Sequence, residues 1–173
     1  MIIAYDECVN SDIDQAYYDE ISNSLRIEAV KCSACKQVGF KVHSYYLRQL
    51  KRELHKGQED DRILIKRVIC KSCRKTHAIL PKSIIPYSHV SLSDTVEIIE
   101  SSETDNNIKN KYWITMEDIR NIKRRFTLFW RQRLLSFDIS ISDDNLCELC
   151  FLNHRLQFMQ IRCQPVILIH ITT

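Results

Sequence analysis

Two Cys-x-x-Cys pairs are the residues of this chain whose type and spacing most directly predict chemistry. Cys32 and Cys35 form the first pair, and Cys70 and Cys73 form the second. A gap of two residues lets one tight turn present two thiolates to the same ion, and four thiolates match the tetrahedral coordination of structural zinc. We therefore predict one structural Zn²⁺ ion held by all four cysteines. Such a site has no open position for water, so its metal holds the fold and does no chemistry.

Disulfide bonds and a thioredoxin-like redox pair are the two other uses that these cysteines could have. Disulfides are typical of secreted chains, and residues Met1–Glu7 have neither the basic nor the apolar segment of a signal peptide. A redox pair normally occurs once, beside a βαβ pattern, whereas here two pairs are matched. We therefore expect zinc in a reducing cytoplasm. The longest apolar run, Pro165–Ile169, is too short for a membrane span, so we expect no membrane anchor.

Positive charge is concentrated in two segments, although the net charge of the 173-residue chain is only +3. Residues 31–75 carry thirteen Lys/Arg against four Asp/Glu, and residues 111–134 carry seven against two. Two basic blocks in a nearly neutral chain are typical of a surface that neutralises phosphates, and solvated surface residues are the alternative explanation. The composition, with 45% hydrophobic and 27% charged residues, is that of a folded globular protein.

The elements that must position the cysteines are strands. Alternation after the first pair predicts a strand from Gly39, with the boundary uncertain over Leu47–Leu54, and Arg62–Cys70 and Thr76–Leu80 complete an antiparallel three-strand sheet. Met1–Tyr5 and Val166–Ile171 predict two further strands that pair with each other. After the first of these strands we expect a helix capped by Ser11. Its core-facing stripe consists of Ile13, Ala16, Tyr17, Ile21 and Leu25.

The second half of the chain predicts helices. Ser91 with Asp94, and Thr115 with Asp118, are capping boxes that open a short and a longer helix, separated by a polar connector over Ser101–Asn110. The middle helix of a complete helix-turn-helix is not evident in the connector. In the longer helix we expect an apolar stripe opposite a basic face. The stripe contains Ile119, Ile122, Phe126, Phe129 and Leu134, and the basic face contains Arg120, Lys123, Arg124, Thr127 and Arg131.

The predicted fold class is α+β, with a small antiparallel zinc-ribbon sheet, flanking helices and a C-terminal helical region. We divide the chain into residues 1–90, the N-terminal helix plus ribbon, and residues 91–173, a helical region with a partial helix-turn-helix and a terminal strand. Cys147 and Cys150, with His154 and Cys163, form either a second metal site or part of a helical core after the capping run Asp143–Asn145. The apolar spacing around them favours the core.

The run from Arg67 to Pro81, followed by Ile84–Tyr87, resembles an uncharacterised bacterial family. That family is similar to the N-terminal zinc-ribbon region of insertion-sequence transposases, and the resemblance implies an association with mobile elements. It extends over residues 28–90, and more loosely over 91–135. The four cysteines match its ligand positions, whereas Lys36 and Arg74 stand where the family commonly has glycine. Further matches have no role that we can derive: Thr76, His77, Leu80, Pro81, Pro86 and Tyr87.

Together these features predict a non-enzymatic zinc-ribbon protein that binds nucleic acid, with DNA as the expected ligand. No deaminase signature, glycine-rich phosphate loop or nucleophile elbow is present in the sequence. The alternative is a protein-interaction module that uses the aromatic residues Tyr45, Tyr46, Trp113 and Trp130. The predicted phosphate contacts are Lys41, Arg48, Lys66, Arg67, Arg74 and Lys75 on the ribbon and Arg120, Arg124 and Arg131 on the helix.

Overall fold

The computed structural model of the protein describes residues 2–5, 14–50, 62–81, 84–154, 156–160 and 167–170. Its fold is α+β, as predicted, with a sheet that includes three antiparallel strands and with a C-terminal helical region. The predicted cap Ser11 and stripe residue Ile13 lie outside the described residues. The first helix is capped instead by Asp14, whose carboxylate accepts from the Tyr17 N–H at 2.8 Å, so the prediction of Ser11 as its cap is wrong. The elements are β1 (Ile2–Tyr5), α1 (Gln15–Ser24), β2 (Phe40–Gln49), β3 (Arg62–Cys70), β4 (Thr76–Pro81), α2 (Leu92–Glu100), α3 (Asp105–Tyr112), α4 (Met116–Arg125), α5 (Arg131–Ser136), α6 (Leu146–His154) and β5 (Ile167–His170).

The strands form one sheet in the order β2-β3-β4-β1-β5. The predicted three-strand antiparallel arrangement of β2, β3 and β4 is confirmed, and Val68 lies opposite His77 in the β3–β4 pair. The predicted pairing of the first and last strands is also confirmed, in parallel register with Ile2 opposite Ile167. On its other side β1 runs parallel to β4. β5 therefore forms one edge of the sheet, and β1 lies between β4 and β5.

Side chains of α1 supply hydrogen bonds to the backbone of β3 beyond its pairing with β4. The Tyr18 hydroxyl accepts from the Lys66 backbone N–H at 2.7 Å and donates to the Ile79 carbonyl at 3.1 Å. The Gln15 amide oxygen accepts from the Leu64 N–H at 2.7 Å. Because a buried backbone group without a partner is costly, the Tyr18 hydroxyl bridges β3 and β4 just beyond the Arg67–Ala78 pair of their register. Tyr18 is fully buried, whereas Ala16 is exposed, so the prediction of Ala16 in the core-facing stripe is wrong.

Two helices in the second half of the chain begin at the caps that the sequence predicts. Ser91 caps α2 by accepting from the Asp94 N–H at 3.0 Å, and Thr115 forms the complete capping box with Asp118. The predicted polar connector is wrong from Asp105 onward, because α3 forms there. Its inward face consists of Ile108 and Tyr112, which are four residues apart and buried. An acidic first turn and two lysines in its last turn complement the helix dipole.

A π-helical turn, Phe126–Trp130, joins α4 to α5 and changes which side chain faces the core. The Arg131 N–H donates to the Phe126 carbonyl, an i→i+5 bond that inserts about one extra residue into the turn. Trp130 is consequently fully buried, while Phe129 is 39% exposed. The prediction of Phe129 in the apolar stripe is therefore wrong, whereas Ile119, Ile122 and Leu134 are buried as predicted.

The described residues divide into two compact units. The sheet unit contains residues 2–5, 14–48, 62–81 and 167–170, and the helical unit contains residues 49–50, 84–154 and 156–160. The sheet unit is therefore discontinuous in sequence, because β5 returns to it after the helical unit. Within the described ranges, no helix has the length and apolar character that a membrane crossing requires.

Candidate metal centre and basic surfaces

Each Cys-x-x-Cys pair forms a turn with the same backbone hydrogen bonds. In the first turn the Cys32 carbonyl accepts from the Lys36 N–H at 2.8 Å, and the Cys32 N–H donates to the Gln37 carbonyl at 2.8 Å. In the second turn Cys70 makes the equivalent bonds to Arg74 and Lys75, at 3.1 and 3.0 Å. We call these turns the first and second knuckle. The antiparallel backbone pairs Lys31–Val38 and Ile69–Thr76 flank the two knuckles, so both knuckles have the same local structure.

The residue after the second cysteine of each knuckle has a left-handed backbone. Lys36 has φ 65° and Arg74 has φ 62°. These are the positions where the sequence departs from the expected glycine, and both long side chains are exposed there. Gly39 has φ 109°, which disfavours any other residue, and its carbonyl accepts from the Lys71 N–H of the second knuckle at 3.1 Å. The two turns are thus joined by backbone as well as by their sulfurs.

The four sulfur atoms of Cys32, Cys35, Cys70 and Cys73 lie within 4.8 Å of one another. The Cys32 and Cys73 sulfurs are 3.7 Å apart, and the Cys35 and Cys70 sulfurs are 3.6 Å apart. A tetrahedron with metal–sulfur bonds of about 2.3 Å has sulfur–sulfur edges of about 3.8 Å. The cysteines therefore have the separation that a tetrahedral metal site requires.

The sulfurs of the second knuckle differ in how readily they lose their protons. The backbone N–H of Cys73, together with that of Ser72, outweighs burial and lowers the pKa of Cys70 to about 6. The Lys75 N–H likewise favours the Cys73 thiolate, but burial and the surrounding sulfurs raise the pKa of Cys73 to about 11. Thiolates crowded in one place cannot all stay charged alone, so a metal ion that binds them must displace protons.

The cluster is embedded in an apolar core. Cys32 and Cys70 are fully buried and pack with Ile21, Phe40 and Val68, while Cys35 and Cys73 are partly buried. His77 is also inside, 6% exposed, with its Nε2 atom 3.7 Å from the Cys32 sulfur and its ring at an edge-on 5.1 Å from Phe40. Burial lowers the pKa of His77 to about 4. The cysteine sulfurs are thus shielded on the side that faces the core.

The predicted phosphate-binding residues of the sheet unit occupy different environments. Lys41, Arg74 and Lys75 are exposed. Arg48 and Arg67 are half-buried, and the Arg67 guanidinium stacks on Tyr46 at 5.8 Å. Lys66 is not on the surface: it is 7% exposed, and its Nζ donates to the Ser22 carbonyl at 3.1 Å and to Asn23 Oδ1 at 2.5 Å. Strand alternation puts Lys66 on the same face as Val68 and Cys70, and α1 covers that position.

Arg120, Arg124 and Arg131 are all exposed on the helix that runs from Met116 to Ser136. Arg120 and Arg124 are one turn apart on α4 and share a face. The sequence spacing predicts Arg131 on the same face, but the extra residue of the π turn rotates Arg131 by about 100° about the axis. Lys123 is occupied, because its Nζ binds Asp105 of α3 at 2.7 Å. The basic face of α4 therefore centres on two arginines.

The middle helix of the predicted partial helix-turn-helix, α3, is the feature that sequence reasoning missed. α3 ends at Tyr112 and α4 begins at Met116, so a three-residue turn separates them. Trp113 in this turn has a left-handed backbone, φ 50°, and is 70% exposed. It lines an open surface pocket together with Lys109 and Ile114. The four-residue spacing of Ile108 and Tyr112 is the sequence pattern that indicates α3.

The second cysteine group is part of a core. Cys147 and Cys150 are buried in α6, and burial raises the pKa of Cys150. The His154 ring packs edge-on against Trp130 and Phe137, at 5.9 and 4.9 Å. Among the residues that the structure describes, only the knuckle cysteines form a group that could hold a metal ion. The predicted core role of Cys147 and Cys150 is confirmed, and Cys163 lies outside the described residues.

The aromatic residues predicted for a protein interface are not equivalent. Tyr45 is 51% exposed and Tyr46 is half-buried. Trp113 is exposed, but Trp130 is fully buried and its Nε1–H donates to the Gln160 carbonyl at 3.2 Å. The prediction of Trp130 as an interface residue is therefore wrong, because the π turn directs it into the core.

A family model described as a domain of unknown function, DUF6431, matches residues 32–121. The match begins at the first knuckle cysteine and ends within α4, so it includes both knuckles and the α3–α4 turn. No curated protein and no solved structure matches the chain significantly. Because the matched segment is more than half of the 173 residues, the chain belongs to the DUF6431 family.

Proposed function

We propose that this protein binds duplex DNA and that one Zn²⁺ ion maintains its sheet unit. The observation that carries the proposal is the exposed pair Arg120 and Arg124 on α4, the second helix of a helix–turn–helix arrangement. In proteins that bind DNA through such a pair of helices, the second helix lies in the major groove. Arginines on that helix contact phosphates or bind guanine with two hydrogen bonds.

Zinc is the metal that the four sulfurs favour. Thiolates are soft ligands that select zinc or iron over magnesium and calcium, and a tetrahedral four-sulfur set is typical of zinc or an iron–sulfur centre. The N–H groups directed at Cys70 and Cys73 would stabilise either. Metal analysis of the purified protein distinguishes them: we expect one zinc per chain and no iron. A purified protein without bound metal would contradict this part of the proposal.

The sheet unit contributes a second set of phosphate contacts in this proposal. Lys41, Arg74 and Lys75 are exposed, and the last two extend from the second knuckle. Holding the knuckle with a metal ion would hold these charges in place. Arg48 and Arg67 contribute less, since Tyr46 interacts with both. Lys66 is left out because its ammonium group is buried.

The protein would act without catalysis, as an accessory DNA-binding component. The resemblance of the knuckle region to the N-terminal part of insertion-sequence transposases favours a role beside a mobile element. The interaction would then position DNA for another protein, which supplies the chemistry.

Fluorescence anisotropy of a labelled DNA duplex, measured at several salt concentrations, tests the proposal. We expect log affinity to fall linearly with log salt, because each phosphate contact releases about 0.9 counterion. Replacing Arg120, Arg124 and Arg131 with alanine should weaken binding and reduce the slope by about 1 for each lost phosphate contact. The matched control replaces the same arginines with lysine, which keeps the charge and should keep most of the slope.

A parallel variant, with Lys41, Arg74 and Lys75 changed to alanine, measures the share of the sheet unit. An unchanged slope in that variant would restrict DNA contact to the helical unit. If the zinc-loaded protein fails to bind duplex DNA at low salt, the DNA proposal is wrong. A protein-interaction role would then be the better explanation, and Trp113, exposed beside its pocket, would be the first residue to substitute.

A further inference from the structure

We propose that His77 is a positioning residue of the metal centre, which donates a hydrogen bond from Nε2–H to the Cys32 thiolate. This inference rests on the proposed metal binding but not on the proposed DNA binding. It assigns a role to the Thr76-His77 part of the family signature. The carrying observation is the distance of 3.7 Å between His77 Nε2 and the Cys32 sulfur, in a buried setting.

The strand register brings His77 to the cysteines. His77 lies opposite Val68 in the antiparallel β3–β4 pair, so both side chains are on one face of the sheet. Cys70 is two residues after Val68 and therefore shares that face. Val68, Cys70 and Cys32 are fully buried on this side. His77 thus belongs to the inner wall of the metal site, and β4 fixes its backbone.

Packing holds the imidazole in a defined orientation. The ring meets Phe40 edge-on, with centroids 5.1 Å apart and an interplanar angle of 77°. His77 is 6% exposed and Phe40 is fully buried, so neither ring can swing into solvent without opening the core. A restrained ring suits a residue whose role is to aim one nitrogen atom.

The chemistry of the sulfur fixes which partner donates. A thiolate that binds a metal has no proton and can only accept a hydrogen bond. The Nε2 atom must therefore carry the proton. Four thiolates around a divalent cation leave two negative charges in an apolar core, where each donor lowers the cost of burial. The second knuckle has the N–H groups of Ser72, Cys73 and Lys75, and His77 adds a side-chain donor at the first knuckle.

Hydrogen bonds from such supporting residues commonly change metal affinity by about 10–100-fold. We therefore expect His77→Phe, which keeps an aromatic ring but has no donor, to bind zinc about 10–100-fold more weakly than the wild type in competition with a chelator. His77→Gln places an amide N–H near the Nε2 position and should recover most of the loss. A role in packing alone would give the opposite order, since Phe preserves the ring contact with Phe40 and Gln does not.

A spectroscopic measurement separates the hydrogen bond from stability. In the protein loaded with Co²⁺, removing a donor from a thiolate raises the energy of the sulfur electrons, so the sulfur-to-cobalt charge-transfer band should move to lower energy. We expect this shift in His77→Phe and its reversal in His77→Gln. Equal zinc affinities and identical bands in the wild type and His77→Phe would overturn the inference. A wild-type protein that binds neither metal would instead overturn the proposed metal site.

Discussion

The sheet unit and the helical unit are stabilised by different means. The sheet unit gathers four cysteines into its core, and its knuckles are short turns with two left-handed residues that carry long side chains. The helical unit has capped helices around Trp130, Tyr112 and Phe158, which are buried aromatic residues. A metal ion can therefore stabilise the first unit strongly and the second unit not directly. The difference shows that two folding strategies can operate in one short chain.

The basic residues differ between the units in the same way. In the sheet unit, Lys66 is buried and Arg67 lies on an aromatic ring, so part of the charge supports the fold. In the helical unit, Lys111 and Lys123 pair with carboxylates, whereas Arg120 and Arg124 are exposed. Charge counted along a sequence overstates the charge available to a ligand. Which cations remain at the surface is decided by packing.

Removing one metal ligand gives the largest expected difference between the units. We expect Cys70→Ser to lose the bound zinc and to unfold the sheet unit, while the helical unit keeps its helices. The reason is that zinc binding contributes about 10–16 kcal/mol in zinc-finger peptides, and folding there depends on it. Metal analysis and amide hydrogen exchange measure the two effects.

The matched control is Cys147→Ala, which removes a buried thiol outside the metal cluster. We expect Cys147→Ala to retain its zinc and its protected sheet amides. If Cys70→Ser keeps both the metal and the protection of β3 and β4, the metal-dependent account of the sheet unit is wrong. If it also unfolds the helical unit, the comparison between independent units fails.

Truncating the aromatic centre of the helical unit should produce the next largest effect. Trp130→Ala removes a fully buried side chain and its hydrogen bond to Gln160, so we expect a loss of about 3–5 kcal/mol in unfolding free energy. Zinc content should not change. The control is Phe129→Ala, which the π turn leaves partly exposed and which should cost within about 1 kcal/mol. Denaturant titration that ranks Phe129 above Trp130 would contradict the π turn.

Tyr18→Phe should have the smallest of the three effects, confined to the sheet unit. The substitution leaves the Lys66 N–H and the Ile79 carbonyl without the hydroxyl that bridges them, which costs about 1–3 kcal/mol. We expect zinc to remain bound and hydrogen exchange at Lys66 to accelerate. Tyr45→Phe, which removes the hydroxyl of an exposed tyrosine, is the control and should change stability by no more than about 0.5 kcal/mol.

Local patterns predicted the cluster of four cysteines and the helix caps of the second half well. Cysteine spacing identified the four residues because a two-residue gap restricts the turn that contains it. Thr115 and Asp118 were recognisable because capping is decided within one turn of backbone. The places where glycine was expected, Lys36 and Arg74, adopt the left-handed backbone that glycine favours.

Features that depend on distant packing were not predictable in this way. α3 has a polar sequence with Ile108 and Tyr112 as its buried residues, so its periodicity is too short to recognise. Trp130 is buried instead of Phe129 because of the π turn, and no sequence spacing rule indicates such a turn. Lys66 has the same strand parity as the buried Val68 and Cys70, and the Ser22 carbonyl and Asn23 side chain of α1 bind its ammonium group. Tertiary contacts decided each of these cases.

The parallel pairing of β1 with β5 has a consequence for folding during synthesis. A ribosome delivers both knuckles, and every metal ligand, well before it delivers Ile167–His170. Domains generally fold as the chain emerges, N-terminal parts first. Under the proposed metal binding, the nascent protein would capture the ion while one edge of β1 still lacks its partner strand. The ion would then hold the two knuckles together before β5 is synthesised, while the helical unit is translated.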